Sequence, residues 1–176
     1  MITPARGWEE LKRIKSCGVY FFPDAIYVVA SARTVPGFEI DSEPVFKLDR
    51  QIPPPAVGDA IIAALNSFRI DVAPPDPRAT KWSPLLIRAE RKSWKQIEKV
   101  ALHVTVSLDG ATVRVMPTER DARRGGYAHR PDLACDCTLQ PEDIGMTVPG
   151  RPRKMFLRVG NLCLIDHWMC TVYVID

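Results

Sequence analysis

The chain has 176 residues, is 46% hydrophobic and 26% charged, and carries a formal net charge of +3. This is the composition of an ordinary globular protein, long enough for one domain or two small fused halves, and the charge is too small and too evenly spread to imply nucleic-acid binding by itself. Residues 1–15 are charged where a secretory leader would be apolar, the apolar run 17–32 is broken by Pro23-Asp24 before it could span a bilayer, and the five cysteines show no disulfide framework; a cytoplasmic protein with free thiols is expected.

In chain order, Trp8, Leu11 and Ile14 form one stripe of a first helix over residues 4–16, with Glu9, Lys12 and Arg13 facing water. Residues 17–22 and 25–30, rich in Val, Ile, Tyr and Phe, are expected as an antiparallel hairpin turned by Pro23-Asp24. Residues 31–42 read as a loop or irregular edge with an acidic group, Glu39, Asp41 and Glu43, and 45–49 as a third strand. Pro53-Pro54-Pro55 then opens a helix, because a first-turn proline loses no hydrogen bond, and Val57, Ile61, Ala64, Leu65 and Phe68 give it one apolar face.

Four prolines between 70 and 84 mark a linker. After a short turn at 85–90, Ser93 and Gln96 have capping-box spacing and Trp94, Ile97, Val100 and Ala101 form a stripe. Leu102, Val104, Val106 and Leu108 alternate with His103, Thr105 and Ser107 as in a half-buried strand, and Asp109-Gly110 is a hairpin turn leading to a partner strand at 112–116. An irregular stretch follows, basic at Arg120, Arg123 and Arg124, then a strand over 133–138 and a helix start at 141–145.

One plan is thus written twice. Trp8 matches Trp94 at an offset of 86; Val28 with Val115, Arg33 with Arg120, Pro44 with Pro131, Asp49 with Asp136, Pro54 with Pro141 and Gly58 with Gly145 match at 87. The expected fold class is α+β: two pseudo-repeats of helix, hairpin, loop, strand and helix, forming a mixed or mostly antiparallel sheet with helices packed on it. Residues 1–69 are the first repeat, 70–91 the linker, 92–148 the second repeat, and 149–176 a divergent apolar tail of one compact domain. The tail could add a hairpin, cover a sheet edge or make a homodimer.

Chemistry-bearing residues are sparse. Cys135 and Cys137 would share one face of a strand near His129, but structural zinc takes four ligands and wider Cys spacing, so no metal is expected and these are read as small buried residues. Asp166-His167 lies between Cys163 and Cys170, yet no nucleophile elbow, phosphate loop or zincin spacing accompanies them. No catalytic residues and no cofactor are expected. Two other classes stay open: a nucleic-acid-binding module using Arg120, Arg123, Arg124, Arg151, Arg153 and Lys154, and a small hydrolase.

The ordered segments Trp8-Glu9-Glu10-Leu11, Val19-Tyr20-Phe21, Ile26-Tyr27-Val28, Gly37-Phe38, Val45-Phe46-Lys47-Leu48 and Pro55 to Ala60, followed by Lys92-Ser93-Trp94, Val113 to Thr118, Gly126-Tyr127 and Pro141 to Gly145, resemble the immunity proteins of bacterial contact-dependent growth inhibition systems. The resemblance spans residues 8–145 and then stops. It implies a non-enzymatic cytoplasmic protein that binds and neutralises a cognate toxin C-terminal domain, often a nuclease, in a stoichiometric complex. It transfers no individual contact residue. On that reading Glu39, Asp41 and Glu43 would mimic phosphates in a basic nuclease site, and Arg120, Arg123 and Arg124 would pair with an acidic toxin surface.

Overall fold

The computed structural model describes residues 13–76, 83–121, 123 and 125–148. Eight strands form one sheet: β1 (Lys15–Phe21), β2 (Ala25–Thr34), β3 (Glu39–Asp49), β4 (Arg69–Val72), β5 (Leu102–Asp109), β6 (Thr112–Arg120), β7 (Tyr127–His129) and β8 (Cys135–Thr138). The order is β3-β2-β1-β5-β6-β7, with β4 on β2 and β8 on β6. Every pairing is antiparallel except that of β4, which runs parallel to the end of β2. Four helices pack on this sheet: α1 (Pro54–Asn66), α2 (Pro84–Arg88), α3 (Trp94–Val100) and α4 (Pro141–Thr147). The class is α+β, as the alternating and helical patterns require.

Side-chain alternation sends the two faces of the sheet into two cores. On one face Cys17, Val19, Ile26, Val28, Val104, Val106, Val113 and Val115 meet Val57, Ile61, Ala64 and Leu65 of α1 and Ile144 of α4. On the other face Tyr20, Tyr27, Val29 and Val45 meet Leu85 and Leu86 of α2 and Ile97 of α3. Central β2 is therefore buried on both sides from Ala25 to Ala30, which is why its sequence is apolar without alternation.

The two halves of the sheet share one register. Adding 87 to each number turns the β1–β2 pairs Cys17↔Ala30 and Val19↔Val28 into the β5–β6 pairs Val104↔Pro117 and Val106↔Val115. At the centre, Cys17↔Val106 and Val19↔Val104 exchange under the same shift, as a local two-fold axis through the Gly18↔Thr105 pair requires. The helices obey it as well. A Cβ built on Gly58 would overlap the Pro141 backbone, and one on Gly145 would overlap the Pro54 backbone, so α1 and α4 cross at two reciprocal glycines. The third strands depart from the offset: Ile26↔Leu48 corresponds to Val113↔Cys137, a shift of 89, so Asp49 and Asp136 occupy different places in the sheet.

Several sequence expectations change. The first helix over 4–16 lies, with Trp8 and Leu11, outside the described residues except at its end, where Lys15 and Ser16 belong to β1. Residues 31–42 are not a loop: β2 runs to Thr34 and β3 starts at Glu39, because Thr34 N and Oγ1 both donate to the Phe38 carbonyl at 2.9 Å and close a tight turn. β3 instead carries its irregularity inside, between Ser42 and Val45, around the cis Glu43-Pro44 bond. The start of the linker yields β4, since Arg69 and Val72 pair with Ala32 and Thr34 of β2 before the prolines begin. The predicted capping box is not made: the Ser93 side chain caps nothing, and Gln96 Oε1 accepts from Lys92 N at 2.8 Å, one residue before the N-cap. Val100 leaves the predicted stripe and is 43% exposed. The hairpin turn is Gly110-Ala111, with Gly110 at φ +62 in the first central position.

Candidate functional site

The three predicted acids lie together on β3, yet two of them face inward partners. Glu39 is opposite Arg33 in the β2–β3 register; its carboxylate accepts from Arg33 Nη2 at 2.5 Å and from Ser16 Oγ at 2.6 Å. The Arg33 side chain is only 8% exposed, so this ion pair neutralises a cation that the sheet buries. Asp41 accepts from Ser83 Oγ at 2.7 Å, the residue that precedes α2, and so ties that helix to the sheet edge. Burial pushes the Asp41 carboxyl up to about 6, with the Ser83 hydrogen bond opposing the shift. Glu43 is exposed but accepts from Val45 N at 3.1 Å within the β3 irregularity. Anions held this way are structural: Glu39 keeps 38% of its side chain exposed but is neutralised by Arg33, which leaves Glu43 as the surface charge of the kind that phosphate mimicry needs.

The predicted basic residues are placed differently. Arg120 ends β6 opposite Tyr127, and Arg123 sits in the β6–β7 turn; both are exposed, while Arg124 lies outside the described residues. This turn is at the opposite edge of the sheet from β3 and at its other end, since Lys15 pairs with Leu108 and Phe21 with Leu102. The acidic and basic groups therefore do not share a surface. Packed beside the turn is α3: Tyr127 Oη donates to the Ala101 carbonyl at 2.9 Å. Lys95 and Lys99 project from α3 one turn apart and are exposed, and Val100, which follows Lys99 at the helix end, is 43% exposed. Reading the chain in order finds the basic turn but not its α3 neighbours, because residues 95–102 and 120–127 are distant in sequence and are brought together by contacts such as Tyr127 with Ala101 and Glu98 with Gly125.

Between these regions lies an aromatic cluster. The Tyr20 ring is 4.4 Å from that of His103 and 6.1 Å from that of Trp94, and His103 is 5.0 Å from Tyr127. Thr118 Oγ1 donates to the His103 carbonyl at 2.7 Å and lies 3.2 Å from His103 Nδ1. Burial, with His129 nearby, pushes the His103 imidazole down to about 3, so it is neutral at ordinary pH. His129 Nε2 is 3.0 Å from Thr105 Oγ1. His103 is thus a packed, hydrogen-bonded side chain.

Cys135 and Cys137 do share a strand, pairing across from Val115 and Val113. Among the described residues, no group of three or more His, Cys, Asp or Glu could hold a metal ion. The buried Cys17 thiol is pushed well above its ordinary value by desolvation, which makes it a poor nucleophile. Cys163, Asp166, His167 and Cys170, together with Arg151, Arg153 and Lys154, lie outside the described residues. No helix among the described residues is long and apolar enough to cross a membrane.

No known family model matches the chain, and no curated protein does. Solved structures do. A protein of unknown function from Neisseria meningitidis superposes with a TM-score of 0.60 at 14% identity, covering 84% of this chain and 95% of its own. A chain of the CdiA-CT/CdiI toxin and immunity complex from Yersinia pseudotuberculosis superposes with a TM-score of 0.57 at 13% identity, covering 77% of this chain and 94% of its own. At these identities the likeness is one of fold.

Proposed function

We propose that this protein is an immunity protein: it binds a toxin domain and holds it inactive in a stoichiometric complex in the cytoplasm, and has no catalysis or cofactor of its own. The observation that carries the reading is the fold shared with a chain of a toxin and immunity complex over 77% of this sequence. Of the two roles in such a complex, the immunity role is assigned here because the ordered segments from Trp8 to Gly145 resemble immunity proteins. The chemistry agrees with a binding role. His103 is desolvated and neutral, Cys17 is buried, and the carboxylates of Glu39 and Asp41 are occupied by internal donors. We take the toxin to be a nuclease.

The test is co-expression with the toxin domain encoded beside this gene. Protection of the cells, a one-to-one complex on size-exclusion chromatography, and loss of nucleolytic activity in that complex are the expected results. Unprotected cells together with no detectable complex would end the proposal.

A further inference from the structure

We infer that the toxin-facing surface is the electropositive corner made by α3 and the β6–β7 turn, and that it receives an acidic protein surface; this rests on the immunity reading above. The first ground is the fate of one arginine in each half. Arg33 and Arg120 occupy equivalent positions at the ends of β2 and β6. Arg33 is buried and faces Glu39 across the strands, whereas the residue opposite Arg120 is Tyr127, which sends its hydroxyl to the Ala101 carbonyl instead. The second half has thus lost the carboxylate that would hold this cation inside the fold, and Arg120 is left at the surface.

The second ground is company. Lys95, Lys99, Arg120 and Arg123 are all exposed, and none has a carboxylate within ion-pair distance among the described residues. Two arginines elsewhere on this half are tied down: Arg114 by Asp136 at 2.7 Å, and Arg130 by Glu119 and Asp132 at 2.9 and 2.7 Å. The acids nearby are Glu98 on α3, whose carboxylate lies beside Gly125, and Asp121 in the turn, whose Oδ1 accepts from Arg123 N. Four free cations against these two leave the corner positive.

The third ground separates a protein partner from a nucleic acid. Val100, at the end of α3 beside Lys99, is exposed, and an apolar side chain flanked by long-range charge is the arrangement of a protein interface, with the charges setting the rate and orientation of docking. A phosphate backbone would leave this side chain in water or against its charges. Because the complementary surface is acidic, this contact lies outside a phosphate-binding centre, so the toxin is blocked by bulk placed beside its active site rather than by substrate mimicry.

The experiment measures association of the full chain with the toxin domain encoded beside its gene, using wild type and the triple variant K95E/K99E/R120E, whose thermal midpoint is checked against wild type. The expected result is an association rate lowered at least about tenfold at low salt, with the difference shrinking as NaCl is raised from about 50 to about 500 mM. A triple variant that associates at the wild-type rate overturns the inference and leaves the immunity role standing. Absence of a wild-type complex instead removes the immunity role and this inference with it. A single-stranded RNA of about 20 nucleotides is the third probe: salt-dependent binding by wild type that the variant loses would assign the corner to nucleic acid and overturn the protein partner.

Discussion

Replacing Gly58 by alanine adds one methyl group at the point where α1 and α4 cross. A Cβ there would sit 2.5 Å from both the Cα and the carbonyl carbon of Pro141, and closer still to its oxygen. Carbon–carbon contacts settle near about 3.5 Å, so α4 must withdraw by roughly 1 Å, and a gap of that size forfeits a quarter to a half of each dispersion contact along the seam. The neighbours losing contact include Val57, Ile61 and Ile144, all buried to within 2%. Overpacking of this kind costs about 1–3 kcal/mol, against about 0.5–1 kcal/mol gained when alanine replaces glycine inside a helix. The expected outcome is a net loss of about 1–2 kcal/mol in urea unfolding. Gly145→Ala must cost a similar amount, because its Cβ would lie 3.0 Å from Pro54 Cα and nearer to the Pro54 carbonyl. The double variant must cost less than the two singles together, since helices already forced apart by one methyl admit the other. A single variant that stabilises the protein, or a double variant whose loss is fully additive, would refute the reciprocal crossing.

Asp41 titrates near pH 6 in the folded protein and near 3.8 when unfolded, so the folded state holds its proton more tightly. Its contribution to stability is full below pH 4 and is lost as pH rises through 6, by at most about 3 kcal/mol. Asp41→Asn is therefore expected to melt higher than wild type at pH 7 and no higher at pH 4; an equal difference at both values would contradict the burial. Asp41→Lys, which a surface acidic loop would tolerate, should be strongly destabilising in the same assay. His103 behaves in the reverse sense: with its folded value near 3 and an ordinary value of 6.5, it favours the fold above pH 6.5 and disfavours it as pH falls below. In a proton NMR titration its ring signals should stay fixed between pH 5 and 8, and a normal midpoint near 6.5 would refute its burial. Glu39→Gln removes the counter-charge of a buried arginine while Arg33 keeps its hydrogen bond to the Ile14 carbonyl; because Glu39 is 38% exposed, a loss of about 1–2 kcal/mol in chemical unfolding is expected. No measurable loss would show that the pair is solvent-screened.

The sequence by itself determined the class, most of the elements and the doubling. Period-2 alternation from Leu102 to Leu108, the apolar stripe of α1 and the two Pro-x-x-x-Gly openings at 54–58 and 141–145 are local patterns, written by which face of each element is buried. Because the offset of 87 is preserved in the pairing of β1–β2 and β5–β6, the repeated residues were legible before their contacts were known. One of the matched pairs is not a structural equivalence: Asp49 and Asp136 agree in sequence and differ by two places in the sheet.

Only the tertiary structure decided what the charged residues do. Glu39, Asp41 and Glu43 read as a solvated loop because their partners are distant in sequence: Ser16 is 23 residues before Glu39, and Ser83 is 42 residues after Asp41. The sheet brings those hydroxyls and Arg33 to the carboxylates, burying Asp41 and neutralising Glu39 where it stands. Arg33 and Arg120 are the same residue at the same repeat position, and no local pattern distinguishes them. One is internal and the other exposed because the strand opposite offers Glu39 in the first half and Tyr127 in the second, a difference that acts only once β2 has met β3 and β6 has met β7.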